Sequence, residues 1–214
     1  MGVPESRESG TAMTLRKLSG ACSAFAIARR GCGVAGAVAL FVGVMFGTPA
    51  AGAGKEDATM KLTSKAFGHN AEIPRLHTCD GKDVSPPVAW SGVPAGAKSL
   101  AMIVDDPDAP DPAAPTMTWV HWVLYNIPPS ATGFAQGIAP RELPVGTREG
   151  LNDWKRTGYG GPCPPVGRHR YFHKLYALDV VLADLGKPTK AALEKAMRGH
   201  VLAQTELVGT YQRK

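Results

Sequence analysis

The stretch "TWVHWVLYNI" at positions 118–127 decides the fold that the sequence predicts. It is rich in β-branched and aromatic residues and stops at Pro128, which is typical of a β-strand. Two further runs of this kind are "KSLAMIVDD" (98–106) and "RYFHKLYALDVVLA" (170–183). Shorter strand candidates lie at 60–67 and 206–213. The chain after residue 55 is therefore predicted to be mainly β.

One segment has a helical pattern, "TKAALEKAMRGHVLA" at positions 189–203, with Pro188 before it and Thr189 as the N-cap. Its apolar stripe consists of Leu193, Ala196, Met197 and Val201. The predicted strands are separated by loops, which do not provide the helical crossovers that parallel strands need. The prediction is an antiparallel β-sandwich with Greek-key connections and a C-terminal helix.

The first 53 residues have the pattern of a secretory signal peptide. Basic residues, including Arg29 and Arg30, precede the uncharged run 31–47, and small residues follow at 48–54. Cleavage after Ala53 would leave a domain over 54–214 in a periplasmic or secreted protein. An uncleaved membrane anchor is the alternative, although the run is shorter than the roughly 20 residues of a membrane span.

The charge of the predicted domain argues against a nucleic-acid partner. Residues 54–214 carry 19 basic and 16 acidic side chains, and these are interspersed without a basic stripe. Contact with a membrane is expected only through the leader, if it is uncleaved. The sequence does not determine the oligomeric state.

Three polar clusters lie at the ends of predicted strands: "DDPDAPDP" at 105–112, His121, and His169-Arg170-Tyr171. Each also has a plain structural interpretation, as an acidic turn, a buried histidine and the solvent face of a strand. Strict alternation along 118–127 would place Trp119, His121 and Val123 on one face.

Metal and hydrolase chemistry lack their sequence signatures. No EF-hand spacing, Cys-x-x-Cys pair or His-Glu-x-x-His motif occurs after residue 55, and no Gly-x-Ser-x-Gly elbow is present there. We therefore expect no metal, no cofactor and no enzymatic activity.

Two imidazoles, a phenol and backbone amides suit a small anion pocket, because all of them can donate hydrogen bonds. The loop "GPCPPVG" (161–167) places three prolines and two glycines just before His169. Fixed proline φ angles make it a stiff wall for such a pocket. Asp106 would then orient a histidine or meet a ligand ammonium group.

These motifs resemble the phosphatidylethanolamine-binding proteins, in the bacterial branch often called Raf-kinase-inhibitor-like. The resemblance rests on "DPDAP" (106–110), on "HWVLYNIP" (121–128) and on "GYGGPCPPVGRHRY" (158–171) followed by "LYALD". Supporting pieces are "TCDGKDVSPPVAW" (78–90) and "NDW" (152–154). The resemblance covers roughly residues 60–213.

The resemblance implies a β-sandwich with a pocket for phosphate-bearing head groups, such as phosphoethanolamine, or other anions. Its ligand contacts would be Asp106, Asp108, Trp119, His121, His169 and Tyr171, with Gly161, Pro164 and Pro165 as the wall. The expected function is binding of a small anionic or phosphorylated ligand. The alternative is a protein-directed inhibitor of a protease or kinase, which would have a protein target.

Cys79 and Cys163 are the two cysteines of the predicted domain, and both lie in loops near the pocket motifs. An even pair in an oxidising compartment predicts a disulfide. Two buried thiols are the alternative.

The leader makes the first testable prediction. The exported protein should begin at Gly54, because Ala51-Gly52-Ala53 fits the small-x-small rule for cleavage. Intact-mass spectrometry of the exported fraction measures this directly. A mass that includes residues 31–47 would instead indicate an anchor.

Overall fold

The computed structural model describes residues 59–214, so the predicted signal peptide lies outside the described residues. Within them the chain forms nine strands and one α-helix, together with short 3-10 turns at Arg75–His77 and Pro140–Glu142. The elements are β1 (Lys61–Thr63), β2 (Ala71–Glu72), β3 (Val88–Ser91), β4 (Ser99–Ala109), β5 (Met117–Ile127), β6 (Gly133–Phe134), β7 (Arg148–Glu149), β8 (His169–Leu178), α1 (Lys190–Met197) and β9 (Val201–Tyr211).

The strands form two sheets, as the sequence predicted. The smaller has the order β1-β3-β6 and the larger the order β2-β9-β8-β4-β5-β7. All pairings are antiparallel except that of β2 with β9. The order β8-β4-β5-β7 places a later strand beside the first of its group, which is the Greek-key arrangement. The predicted mainly β sandwich is confirmed.

Alternation along β4 divides the core into two layers. Leu100, Met102 and Val104 face the smaller sheet, in a cluster with Trp90, Trp122 and others. Ala101 and Ile103 face the opposite side, where α1 covers them with Leu193 and Met197. This is the period-2 pattern of a strand that is buried on both faces.

A buried ionic cluster fixes α1 to the larger sheet. Asp105 on β4 is completely buried, and its carboxylate accepts hydrogen bonds from Lys174 Nζ of β8 at 2.9 Å and Lys190 Nζ of α1 at 2.6 Å. A buried carboxylate is tolerated only when it is paired, so these two lysines neutralise it. At the helix start, the Thr189 side chain accepts the Ala192 backbone N–H, as the sequence predicted.

The C-terminal helix is shorter than the predicted range 189–203. It ends at Met197, Gly199 adopts a φ of 78°, and β9 begins at Val201. Glycine populates this left-handed region readily, so it ends the helix and turns the chain. Val201, predicted on the apolar stripe, is a half-exposed strand residue. The predicted strand 170–183 likewise ends earlier, at Leu178.

No helix in residues 59–214 is long and apolar enough to cross a membrane. The same residues contain no group of three or more His, Cys, Asp or Glu side chains arranged to hold a metal ion.

The ionic cluster predicts a large loss of stability in Asp105→Ala. The substitution leaves two partly buried ammonium groups without their carboxylate, which should lower the free energy of unfolding by about 3 kcal/mol. Urea denaturation followed by tryptophan fluorescence measures it. The matched control is Asp179→Ala, whose half-exposed pair with His200 should contribute about 1 kcal/mol or less. Equal losses in the two variants would contradict a special role for Asp105.

Candidate functional site

A cavity of about 340 Å³ opens where β4 ends and β5 begins. This volume is at the small end of the range for ligand sites, roughly 300–1,000 Å³. Its lining combines three polar groups with apolar and aromatic walls: Asp106, Ala109, Pro110, Met117, Trp119, His121, Trp154, Cys163, Pro164, Pro165 and His169. The structure thus brings together Asp106, Trp119, His121, Pro164, Pro165 and His169 from the predicted site.

His121 reaches the cavity because of a β-bulge. In the pairing of β4 with β5, Val104 lies opposite Trp122 and Asp105 lies opposite Val120, so His121 is an extra residue. A bulge reverses the alternation beyond it and re-aims the side chain at the bulge. The prediction that Val123 shares the face of His121 and Trp119 is therefore wrong, since Val123 packs in the outer layer under α1.

The His121 ring is held as one neutral tautomer. It is 2% exposed, and its Nδ1 lies 2.7 Å from the carbonyl oxygen of Gly160, which can only accept a hydrogen bond. Nδ1 must therefore carry the proton. Burial lowers the pKa of His121 to about 4, so at neutral pH the other nitrogen, Nε2, is a hydrogen-bond acceptor. Nε2 has no partner among the described residues.

His169 and Asp106 form a buried pair beside it. His169 Nδ1 lies 2.7 Å from Asp106 Oδ2, and His169 Nε2 lies 3.0 Å from the carbonyl oxygen of Val166. The other carboxylate oxygen of Asp106 accepts the backbone N–H of Asp108 at 2.8 Å. Burial raises the pKa of Asp106, although its bond to His169 opposes that shift. Both nitrogens of His169 are thus engaged by the protein itself.

Three predicted contacts are not in the lining. Asp108 accepts three hydrogen bonds from the backbone and guanidinium of Arg170, at 2.7 to 2.9 Å, which lower its pKa. Tyr171 lies behind His121, with ring centroids 5.2 Å apart. Its buried hydroxyl has no hydrogen-bond partner in residues 59–214, and burial raises its pKa far above the usual range. Gly161 lies behind the wall, against His77 and Asp83.

The wall that carries Pro164 and Pro165 is tied to the segment 77–83. Gly161 N donates to Asp83 Oδ1 at 2.6 Å, and Tyr159 Oη donates to the carbonyl oxygen of His77 at 2.9 Å. Cys79 N donates to the carbonyl oxygen of Pro162, and the structure contains the disulfide between Cys79 and Cys163. A Cβ on Gly161 would meet the His77 carbonyl oxygen at 2.4 Å, so this close approach requires glycine.

The predicted site residues omitted Ala109, Pro110, Met117 and Trp154, which also line the cavity. Trp154 contacts both the Trp119 and His121 rings edge-on, at 5.4 and 5.2 Å between centroids. Its neighbour Asp153 fixes this segment to β5, since the Asp153 carboxylate accepts the Val120 N–H at 2.8 Å. The motif "NDW" contains Trp154 and was the available signal. It lies far along the chain from the strands that form the cavity, so the sequence did not predict that Trp154 lines it.

The cavity contains no lysine or arginine among its described lining residues. Arg170 is directed to Asp108, and Arg156 lies 5.9 Å from the centre of the Trp154 ring. The sequence suggested that both imidazoles would donate to an anion, and the geometry differs from that suggestion. His121 Nε2 is an acceptor, and both ring nitrogens of His169 contact other groups of the protein.

Comparison with known proteins places these features in a family. Residues 63–212 match the family described as phosphatidylethanolamine-binding protein. The chain is 48% identical to a UPF0098 protein of Methanothermobacter thermautotrophicus over 155 residues, which cover 72% of this chain and 99% of that protein. It is 44% identical to a UPF0098 protein of Chlamydia trachomatis over 154 residues, with the same two coverages.

Solved structures give the same result. A phosphatidylethanolamine-binding protein homologue from Chlamydia trachomatis is similar with a TM-score of 0.67 at 43% identity, covering 73% of this chain and 99% of that one. Escherichia coli YbcL, described as a member of the mammalian PEBP family, is similar with a TM-score of 0.66 at 32% identity, covering 73% and 100%.

The buried histidines predict that the protein loses stability in mild acid. His173 is also buried, its ring nitrogens have no partners in the described chain, and burial lowers its pKa to about 4. In the unfolded state both histidines bind a proton near pH 6.5. Their contribution to the free energy of unfolding is therefore fully present above pH 6.5 and is lost as the pH falls toward 4. Each histidine should contribute a loss of about 3 kcal/mol by pH 4.

Urea denaturation at pH 7.5, 5.5 and 4.5 measures the loss. His173→Leu should flatten the pH dependence by about half, because it removes one of the two titrations. Paired carboxylates such as Asp108, whose pKa is lowered, also contribute to the free energy of unfolding, but they lose that contribution only at more acidic pH. The loss between pH 7.5 and 4.5 can therefore be assigned to the histidines. A constant free energy of unfolding between pH 7.5 and 4.5 would contradict the prediction.

Proposed function

The chain belongs to the phosphatidylethanolamine-binding protein family, and from that premise we propose that its pocket binds a small phosphate-bearing ligand and takes up a proton on binding. The observation that carries the proposal is His121 Nε2. This atom is a buried acceptor that lacks a hydrogen-bond partner in residues 59–214, and its residue lines the cavity. Buried polar atoms are normally paired, so an unpaired one in a pocket favours a ligand partner.

A phosphate group can satisfy His121 only if a proton comes with it. A phosphate monoester has a second pKa of about 6, and its monoanion carries one P–O–H that can donate to Nε2. Alternatively, His121 itself is protonated and donates to the dianion. Both routes give the same stoichiometry at neutral pH, which is one proton taken up for each dianion bound.

The rest of the lining favours a zwitterion over a plain anion. Asp106 is the one carboxylate among the described lining residues, and no lysine or arginine there balances a ligand's negative charge. An ammonium group on the ligand would offset that charge and meet the Asp106 carboxylate. The faces of Trp119 and Trp154 also attract cations. Phosphoethanolamine has both groups and fits the cavity volume.

Binding without turnover is the activity that we propose. The described lining has no serine, threonine or lysine, and its cysteine is in a disulfide, so the hydroxyl, thiol and amine nucleophiles of covalent catalysis are missing there. The proposed location is periplasmic or secreted. The leader pattern and the disulfide support it, because disulfides persist in oxidising compartments.

Calorimetry tests the proton uptake. Phosphoethanolamine should bind up to about tenfold more tightly for each unit by which the pH falls from 8 to 6, because each complex gains one proton. Titrations in two buffers with different ionisation heats count that proton. His121→Asn retains a donor for Gly160 but lacks Nε2, and should lose about one to two decades of affinity together with the proton uptake. Asp179→Asn, at the opposite end of β8, is the control and should bind as wild type.

Asp106→Asn separates the two ends of the ligand. It should weaken phosphoethanolamine more than inorganic phosphate, because only the first has an ammonium group for the carboxylate. Equal losses would mean that Asp106 acts through His169 instead. If a folded His121→Asn protein bound both compounds as wild type does, the proposed pocket function would be wrong.

A further inference from the structure

The imidazole of His169 lies between two hydrogen-bond acceptors. Its Nδ1 faces the Asp106 carboxylate at 2.7 Å and its Nε2 faces the carbonyl oxygen of Val166 at 3.0 Å. The residue is completely buried. A neutral imidazole has one N–H, whereas two acceptors at these distances require two hydrogens.

The second hydrogen has two possible locations. The Val166 carbonyl can only accept, so Nε2 carries a proton. Nδ1 then either carries another, as an imidazolium against a carboxylate, or accepts one from a protonated Asp106. In both cases Asp106 and His169 together hold two protons and are neutral overall. Burial, which raises the pKa of Asp106, favours retention of this proton.

The charged neighbours leave the pair undisturbed. Asp108 is neutralised by Arg170, which forms a fork of hydrogen bonds to it. His121 is neutral at physiological pH because burial lowers its pKa to about 4. Tyr171, whose ring stacks on His169 at 6.4 Å between centroids, also stays neutral, since burial raises its pKa.

We propose that this two-proton pair is a latch, in which His169 fastens the wall loop 163–167 to β4 through Val166. The first end of the loop is fixed by the Cys79–Cys163 disulfide and by the bonds to segment 77–83. Val166 is the contact near the other end, and Pro164 and Pro165 between them line the cavity. His169 is therefore a positioning residue, and its ring nitrogens serve the wall and Asp106 rather than a ligand.

The latch explains why a buried imidazole lies at this place. The Pro-Pro sequence has no N–H groups with which to form a ladder, so the loop needs an anchor from outside itself. In the imidazolium form the bond to Val166 is charge-assisted and about twice as strong as a neutral hydrogen bond.

Two substitutions separate the halves of the latch. In His169→Asn the amide nitrogen replaces Nδ1, which retains the bond to Asp106 and removes the bond to Val166. In His169→Gln the amide nitrogen replaces Nε2, which retains the bond to Val166. Nitrogen-15 relaxation of the Val166, Gly167 and Arg168 amides reports on the mobility of the loop. Their order parameters should fall from about 0.85 toward about 0.6 in the Asn variant, and less in the Gln variant.

Nitrogen-15 NMR of the wild-type protein tests the proton count without any substitution. At pH 7 the latch predicts two protonated ring nitrogens on His169, or one together with a protonated Asp106 carboxyl in the carbon-13 spectrum. In Asp106→Asn only Nε2 should be protonated. One ring proton with an ionised Asp106 in the wild type would overturn the proposal, and so would order parameters in His169→Asn equal to those of the wild type. All of these measurements use the unliganded protein, so they stand apart from the test of phosphate binding.

Discussion

Two buried carboxylates next to each other on the central strand β4 constrain the rest of the domain. Asp105 and Asp106 are both buried, and the pleat of the strand directs them to opposite faces of the larger sheet. Each must find a partner, because an unpaired buried charge is prohibitively costly. Asp105 takes the ammonium groups of Lys174 and Lys190, whereas Asp106 takes the imidazole of His169. One dipeptide thereby fixes α1 on one face and lines the cavity on the other.

The site depends on departures from regular strand geometry. The bulge at His121 turns that side chain toward the cavity, and a second irregularity lies on β4 between Asp106 and Ala109. The two irregularities follow one another along the β4–β5 pair, and the cavity lies beside them, where β4 ends and β5 begins. The loops then supply the walls, and the disulfide and backbone bonds hold them at a distance set by glycine at 161. A rigid sheet with a stiff loop would lower the ordering cost of the small ligand that we propose.

The sequence was sufficient to predict the sandwich, the main strands and six residues of the cavity lining. The strands followed from local patterns, such as β-branched runs ended by proline, whereas the six lining residues were implied by the resemblance of ordered motifs to a known family. The sequence was insufficient where geometry depends on pairing between distant segments. A bulge is defined by the register of β4 against β5, so alternation alone misplaced Val123. The partner of Asp108 is Arg170, 62 residues away, and no local pattern gives that pair. The predicted helix was too long because Val201 belongs to β9, where it pairs with Leu178.

The chemistry of the pocket also depends on contacts between distant segments. The residue types suggested more hydrogen-bond donors for an anion than the folded chain leaves available. Two histidines and a tyrosine look like three donors to an anion when they are read from sequence. In the folded chain these groups already have protein partners: His121 gives its one N–H to Gly160, and the ring nitrogens of His169 contact Asp106 and the Val166 carbonyl oxygen. What remains for a ligand is an acceptor at His121 Nε2, a carboxylate at Asp106 and the buried Tyr171 hydroxyl behind them. A phosphate that binds His121 Nε2 in this cavity must therefore carry a proton or cause His121 to take one up. This requirement follows from the hydrogen bonds that the histidines already form with the protein, and it cannot be read from the residue types of the lining.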